Sequence, residues 1–221
     1  MVHLIRELHR KKGYRLETLY LAVSIADRYL CNLSKRAPCL VLLSVASLLL
    51  AAKLNEAMRP SFMHMNRLLH AEYNVFVRKD EFIALERDIV RSLQFSLQWV
   101  SPIAFLERFQ RVFQLDREDK DEASFFVGEL ARDYCLVMLR NADFLQFRPS
   151  QIAAAAITMA IRTHYDTKFK DIILSKHDFL DETYDVMKMW TAEVEVTTKI
   201  SVEDDLRPVY RLLKNGVNSL N

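Results

Sequence analysis

The chain has 221 residues, with 31 Lys plus Arg against 29 Asp plus Glu, a formal charge of +2. Hydrophobic residues are 51% and charged residues 27%, enough apolar side chain to offset the ordering entropy, which excludes a mainly disordered chain. The near balance of charge argues against a protein whose main work is neutralising phosphates, and 3 Gly with 5 Pro, about a third of the usual share, argue against the turn-rich β-sandwiches and barrels.

Met1, Leu4, Ile5 and Leu8 fall at i, i+3, i+4 and i+7, one stripe of a helix, with Glu7 and Lys11 an i,i+4 pair on its wet side. Gly13 breaks it. Residues 17–31 are apolar almost all round and predict a helix buried on several sides. Pro38 restarts the chain, and 39–55 is the most apolar segment. Its run 40–54, which contains Ser44, Ser47 and Lys53, falls short of the ~20 residues that span a bilayer and reads as a buried core helix. Ser61 caps a short helix through Leu69, and 78–93 is amphipathic, with Phe82, Leu85, Ile89 and Leu93 on one face. Pro102 opens a helix to about residue 113. An unbroken run of charges over 116–122 reads as a solvated connection and places the domain boundary, giving 1–113 and 114–221. Beyond it come helices over 124–139, from Pro149 with Ala153, Ala154, Ala155 and Ala156 at its heart, and around 168–175, 179–194 and 203–214. The small-residue stretches 44–53 and 150–159 look like two versions of one unit, each a central helix wrapped by about four others.

Catalytic signatures are not found. Gly13, Gly128 and Gly216 are too scattered for a phosphate-binding turn, and neither an HExxH nor a G-x-S-x-G segment occurs. His64 and His70 stand six apart, on different faces of a helix, which disfavours a metal role. Cys31, Cys39 and Cys135 form no CxxC and sit in apolar stretches, so they are expected as small buried hydrophobes in a reducing compartment. The first residues carry charge where a signal peptide needs an apolar run. The chain is therefore expected to be no enzyme, without catalytic residues, cofactor or metal. The cluster His9, Arg10, Lys11 and Lys12 with Arg15 is the best basic patch and reads as a solvated helix end. Two charges stand in apolar places. Lys53 ends the most apolar helix, and Glu86 lies beside the stripe of 78–93. Lys53 reads as a snorkelling cation at a helix C-terminus, and Glu86 as a solvated edge residue or an i,i+4 partner. Alternatively, both stand at one protein–protein surface and meet groups of a partner.

Residues 17–30 (ETLYLAVSIADRYL) resemble the cyclin-box segment ETL-x-LA-x-x-x-x-DR-[FY]-L. Residues 48–56 (LLLAAKLNE) resemble LLAAK-[FL]-x-E, and 85–97 (LERDIVRSLQFSL) resemble x-E-x-x-[IV]-L-x-x-L-x-[FW]-x-L. Residues 102–105 (PIAF) match the family's P-T-x-x-x-F-L entry to the next helix. Residues 125–133 and 149–160 look like the C-terminal cyclin fold, and 209–221 is similar to the last segment of A-type mitotic cyclins. Order and spacing agree over 1–221, most tightly in 17–97, and the likeness is to mitotic A/B-type cyclins.

The resemblance implies an all-α chain of tandem cyclin-box folds, each about five helices around a central apolar helix. It implies a regulatory subunit that binds and activates a cyclin-dependent Ser/Thr kinase in cell-cycle progression, in nucleus and cytoplasm. In that family the residues matching Lys53 and Glu86 bind the kinase helix bearing its catalytic-site Glu, so that the kinase Lys–Glu ion pair forms. The family's apolar kinase contacts match Leu54, Val90, Phe95 and Leu97, with Glu56 nearby, and Asp27 matches a structural residue that pairs with a first-helix Arg. The family's M-R-A-I-L-x-x-W groove takes R-x-L motifs of substrates or inhibitors. A gapless match puts Met1 at its Leu and Leu4 at its Trp, so its first four residues would precede residue 1, and a polar groove residue becomes Val41. The groove would then rest on Met1, Leu4, Glu7 and Val41. On this match Asp27 would lack the Arg of that motif, and the family's extra helix before the box would also fall outside residues 1–221. Two other readings are a cyclin-fold scaffold that binds without activating, and a transcription-factor-type nucleic-acid binder. The latter is typically basic and zinc-bearing, whereas this chain has +2 and no Cys/His cluster. Neither membrane nor nucleic acid is the expected partner.

Overall fold

The computed structural model describes residues 1–33, 38–58, 60–112, 122–175, 208–209 and 211–212, and every regular element among them is helical. Five helices come first: α1 (Val2–Lys12), α2 (Leu16–Cys31), α3 (Leu40–Asn55), α4 (Phe62–Tyr73) and α5 (Lys79–Ser92). There follow α6 (Pro102–Val112), α7 (Glu122–Met138), a 3-10 turn (Ala142–Gln146) and α8 (Pro149–Ser175). The chain packs as two compact units, Met1–Ser101 and Pro102–Asn221. This differs from the boundary at 113/114, which grouped α6 with the first unit. The apolar face of α6 (Ile103, Leu106, Phe109) is buried, and the helix packs on α8 and α7. Buried Gln110 of α6 donates to the Gly128 carbonyl at 2.7 Å. The charged run separates two helices of one unit.

In the first unit α3 is the centre. Every residue from Leu43 to Ala52 is buried, and the helix packs on α2, α5 and α1. Small side chains at Ser44, Ala46, Ser47, Ala51 and Ala52 let these neighbours approach closely. The two buried hydroxyls need no outside partner: Ser44 donates to the Leu40 carbonyl at 2.7 Å and Ser47 to the Leu43 carbonyl at 2.6 Å. The second unit repeats the device. Ala153 to Ala156 of α8 are fully buried, and Thr158 donates back to the Ala154 carbonyl at 2.9 Å. With no Gly or Pro after Pro149 to stop it, α8 continues through Ser175, so the helix expected at 168–175 is its final stretch. The helix expected at 179–194 lies outside the described residues. Of 203–214 only 208–209 and 211–212 are described, and they are helical.

Helix ends follow local chemistry. Gly13 closes α1 in the left-handed region at φ 61. Ser61 caps α4, accepting the His64 N–H at 3.4 Å, but the helix runs past Leu69 to Tyr73 and stops at left-handed Asn74. Glu7 pairs with Arg10 rather than Lys11, which reaches Glu72 on α4 instead. Cys135 is buried, but Cys31 and Cys39 are exposed, because each falls at a helix end rather than on a packed face.

Two polar side chains of the first unit are treated oppositely. Buried Asn66 of α4 clamps the extended strand of chain before α5: its amide nitrogen donates to the Val77 carbonyl and its oxygen accepts the Val77 N–H, both at 3.0 Å. Asp27 of α2 is half-buried and has no hydrogen-bond or ion-pair partner among the described residues. Burial pushes its carboxyl above the usual carboxylate range.

Two outcomes follow. Asn66→Ala strands a buried N–H and a buried carbonyl, and chemical denaturation should show a loss of about 2–4 kcal/mol. For Asp27, the folded chain holds the proton more tightly than the unfolded chain, so stability falls as pH rises through and above the carboxylate range. Asp27→Asn should therefore melt higher than the parent at neutral pH, with the difference closing below about pH 4. A lower Tm at neutral pH would mean that a cation holds the carboxylate.

Candidate functional site

The buried run of α3 ends at Ala52, and Lys53 is the first exposed residue after it. It stands in the last turn, where the helix dipole favours a cation. Across the α3–α5 contact, the Lys53 ammonium meets the Glu86 carboxylate in an ion pair. The two charges singled out in the sequence therefore partner each other. The Glu86 side chain is 18% exposed and that of Lys53 46%. A pair this open to solvent adds only about 0–1 kcal/mol to folding. Stability alone therefore gives little reason for two charges at the end of an otherwise apolar core helix.

Several apolar residues near the pair along the chain are left partly uncovered. Leu54, next to Lys53, is 45% exposed. Val90, one turn beyond Glu86 on α5, is half-buried, as is Leu97. Between them the chain leaves α5 through a Schellman turn, with the Gln94 N–H on the Arg91 carbonyl and the Phe95 N–H on the Val90 carbonyl, both at 2.9 Å. Glycine is the usual residue there, yet the turn uses Gln94 at φ 50 and Phe95 at φ 62. Each left-handed non-glycine residue costs roughly 1–2 kcal/mol. The result is a phenyl ring 77% exposed. Strain that puts an apolar ring into water suits a surface made to be covered. The hydroxyl of buried Tyr29 on α2 donates to Asp88 at 2.6 Å and ties α2 to α5 ahead of this turn. Burial first, and the Asp88 carboxylate second, push the Tyr29 phenol far above its ordinary range, so it stays a donor.

Glu56, two residues after Leu54, is engaged within the chain. Its carboxylate accepts the Arg15 N–H at 2.9 Å and the Thr18 hydroxyl at 2.5 Å. Helix α2 begins after Arg15, which offers no capping side chain of its own, so Glu56 caps it from across the fold. The sequence reading missed this role, because residues 38 and 41 positions apart give no periodic signal.

Met1 before α1 and Leu4 and Glu7 on it are half-buried, as is Val41 in the first turn of α3, on which α1 packs. Glu7 already holds Arg10 at 2.9 Å. The basic cluster is largely spoken for inside the chain: His9 is buried and donates to the Arg15 carbonyl at 2.8 Å, and Lys11 meets Glu72. His64 and His70 are exposed on α4, and no three His, Cys, Asp or Glu among the described residues are grouped to hold a metal ion. No helix among them is long and apolar enough to cross a membrane.

Comparison with known proteins agrees with this architecture. Residues 1–98 match the family model for the cyclin N-terminal domain and residues 100–220 that for the cyclin C-terminal domain. Cyclin-B2-2 of Oryza sativa subsp. indica is 33% identical over 154 residues, covering 70% of this chain and 34% of its own length. The G2/mitotic-specific cyclin cdc13 of Schizosaccharomyces pombe is 32% identical over 158 residues, covering 70% of this chain and 30% of its own. Cyclin-A3-2 of Oryza sativa subsp. japonica is 34% identical over 144 residues, covering 65% and 36%. The chain thus spans about a third of the length of the curated relatives it matches. Among solved structures, a chain of the CAK complex from Chaetomium thermophilum bound to ATP-gamma-S shares the fold, with a TM-score of 0.58 at 17% identity over 97% of this chain and 69% of that one. Two cyclin domains in tandem, with mitotic A- and B-type relatives, place this chain in the cyclin family.

Proposed function

We propose that the chain is the regulatory subunit of a cyclin-dependent Ser/Thr kinase and controls cell-cycle progression in nucleus and cytoplasm, with no catalytic residue of its own. The observation that carries this reading is the Lys53–Glu86 pair, seated on α3 and α5 next to exposed Leu54 and followed by Val90 on α5 and Phe95 in the turn after it. The kinase helix that bears the catalytic-site Glu would lie on this face. Once water is excluded, the ammonium and the carboxylate would each meet unpaired backbone or side-chain groups of that helix, where charge-assisted hydrogen bonds are strongest. Phe95, Leu54, Val90 and Leu97 would supply the apolar area, in an interface above the ~1,600 Å² of a standard complex. So held, the kinase helix places its Glu against the kinase Lys and completes the phosphate-binding ion pair.

A second class of partner, substrates or inhibitors bearing R-x-L, would meet Met1 and, on α1, Leu4, with Glu7 and Val41 beside them. Apolar Val41 and the engagement of Glu7 with Arg10 make this the less developed of the two surfaces.

The test is phosphorylation of a histone substrate by a monomeric cyclin-dependent kinase catalytic subunit mixed with this chain. The wild type should activate. Lys53→Ala/Glu86→Ala should need about 30-fold more chain for half-maximal activation, from roughly 2 kcal/mol of lost desolvated contact, with little change in Tm. Phe95→Ala should weaken kinase binding similarly without lowering Tm, since the ring it removes is in solvent. A double variant that activates like the wild type would overturn the site. Capture of the kinase without phosphotransfer would replace activation by the scaffold reading.

A further inference from the structure

The turn that presents Phe95 is strained, and something must hold it. Residues 93–97 are tied internally by the Schellman bonds and by Ser96 N–H to the Leu93 carbonyl at 2.9 Å, but these leave the outgoing carbonyls of Ser96 and Leu97 unsatisfied by the turn itself. Both are taken by one side chain. Arg28, in the last turn of α2, reaches across 68 and 69 positions to donate through one guanidinium nitrogen to the Ser96 carbonyl at 2.5 Å and through another, in a longer and weaker contact, to the Leu97 carbonyl at 3.5 Å. The neighbouring Tyr29–Asp88 bond fixes α2 against α5, so the fork sits on a rigid base. Arg28 is also without a carboxylate partner among the described residues, and it spends its planar fork on two backbone oxygens.

We propose that Arg28 is the latch that keeps Gln94 and Phe95 in the left-handed conformation and so aims the Phe95 ring outward, making it a positioning residue for docking of the kinase. The docking half of this rests on the function proposed above; the latch itself does not. The chemistry calls for an arginine. A lysine ammonium is a compact point charge and cannot span two successive carbonyls with a preformed fork. The strain calls for a latch, because without it Gln94 and Phe95 would relax towards negative φ and take the ring with them.

Two readouts test it on the full chain. In amide hydrogen exchange of the free protein, Arg28→Ala should speed exchange at residues 94–97 by roughly tenfold or more while α3 is unaffected. Adding Gln94→Gly, which removes the left-handed penalty at that position, should restore much of the protection. In binding to a purified monomeric cyclin-dependent kinase catalytic subunit, Arg28→Ala should raise Kd about tenfold, and most of that loss should vanish in a Phe95→Ala background, because the arginine acts through the ring. Unchanged exchange at 94–97, or equal losses of affinity with and without Phe95, would overturn the proposal. If Arg28→Ala does not fold, Arg28→Lys keeps the stem and charge, and the same exchange comparison decides. A wild type that binds no kinase overturns the proposed function instead, and the exchange result then decides the latch alone.

Discussion

A helix with no polar face has to be covered on every side, and α3 is such a helix. Ten consecutive residues, Leu43 to Ala52, are withdrawn from water, so α1, α2 and α5 must all pack on it. This burial sets the position of everything else in the first unit. It dictates small residues where neighbours come close, and it forces Ser44 and Ser47 to bond back onto their own helix. It also fixes where charge can reappear. Lys53 emerges where the buried run ends, and there it finds Glu86 of α5.

The contrast between the inside and the edge of this unit separates structural from docking roles. Inside, polar groups are satisfied within the chain: Asn66 by both backbone groups of Val77, and the start of α2 by Glu56. At the edge, the opposite holds. Leu54 and Phe95 lie exposed, and the turn carrying Phe95 uses two non-glycine residues at positive φ. An ion pair that contributes little to folding stands beside them. Folding gains nothing evident from this edge, whereas a partner that covered it would gain apolar area and two oriented charges.

Departures from sequence expectation share one cause. Periodicity reports which face of a helix is apolar, but not which neighbour covers it. Helix α6 was therefore assigned by the charged run that follows it, although its apolar face packs with α7 and α8. Lys11 has a suitable i−4 partner in Glu7, but α4 brings Glu72 within reach. The cysteines at helix ends look apolar from their neighbours in sequence, yet Cys31 and Cys39 face water.

What the sequence determined by itself was the helical class, the two central small-residue helices, the cyclin-box register and the prominence of Lys53 and Glu86. Each of these rests on composition or on spacings of a few residues, which the chain carries locally. Only the tertiary structure decided that Lys53 pairs with Glu86, that Glu56 caps α2, and that Arg28 grips the carbonyls after Phe95. These contacts join residues 33 to 69 positions apart, and the packing of α2, α3 and α5 on one another brings them together.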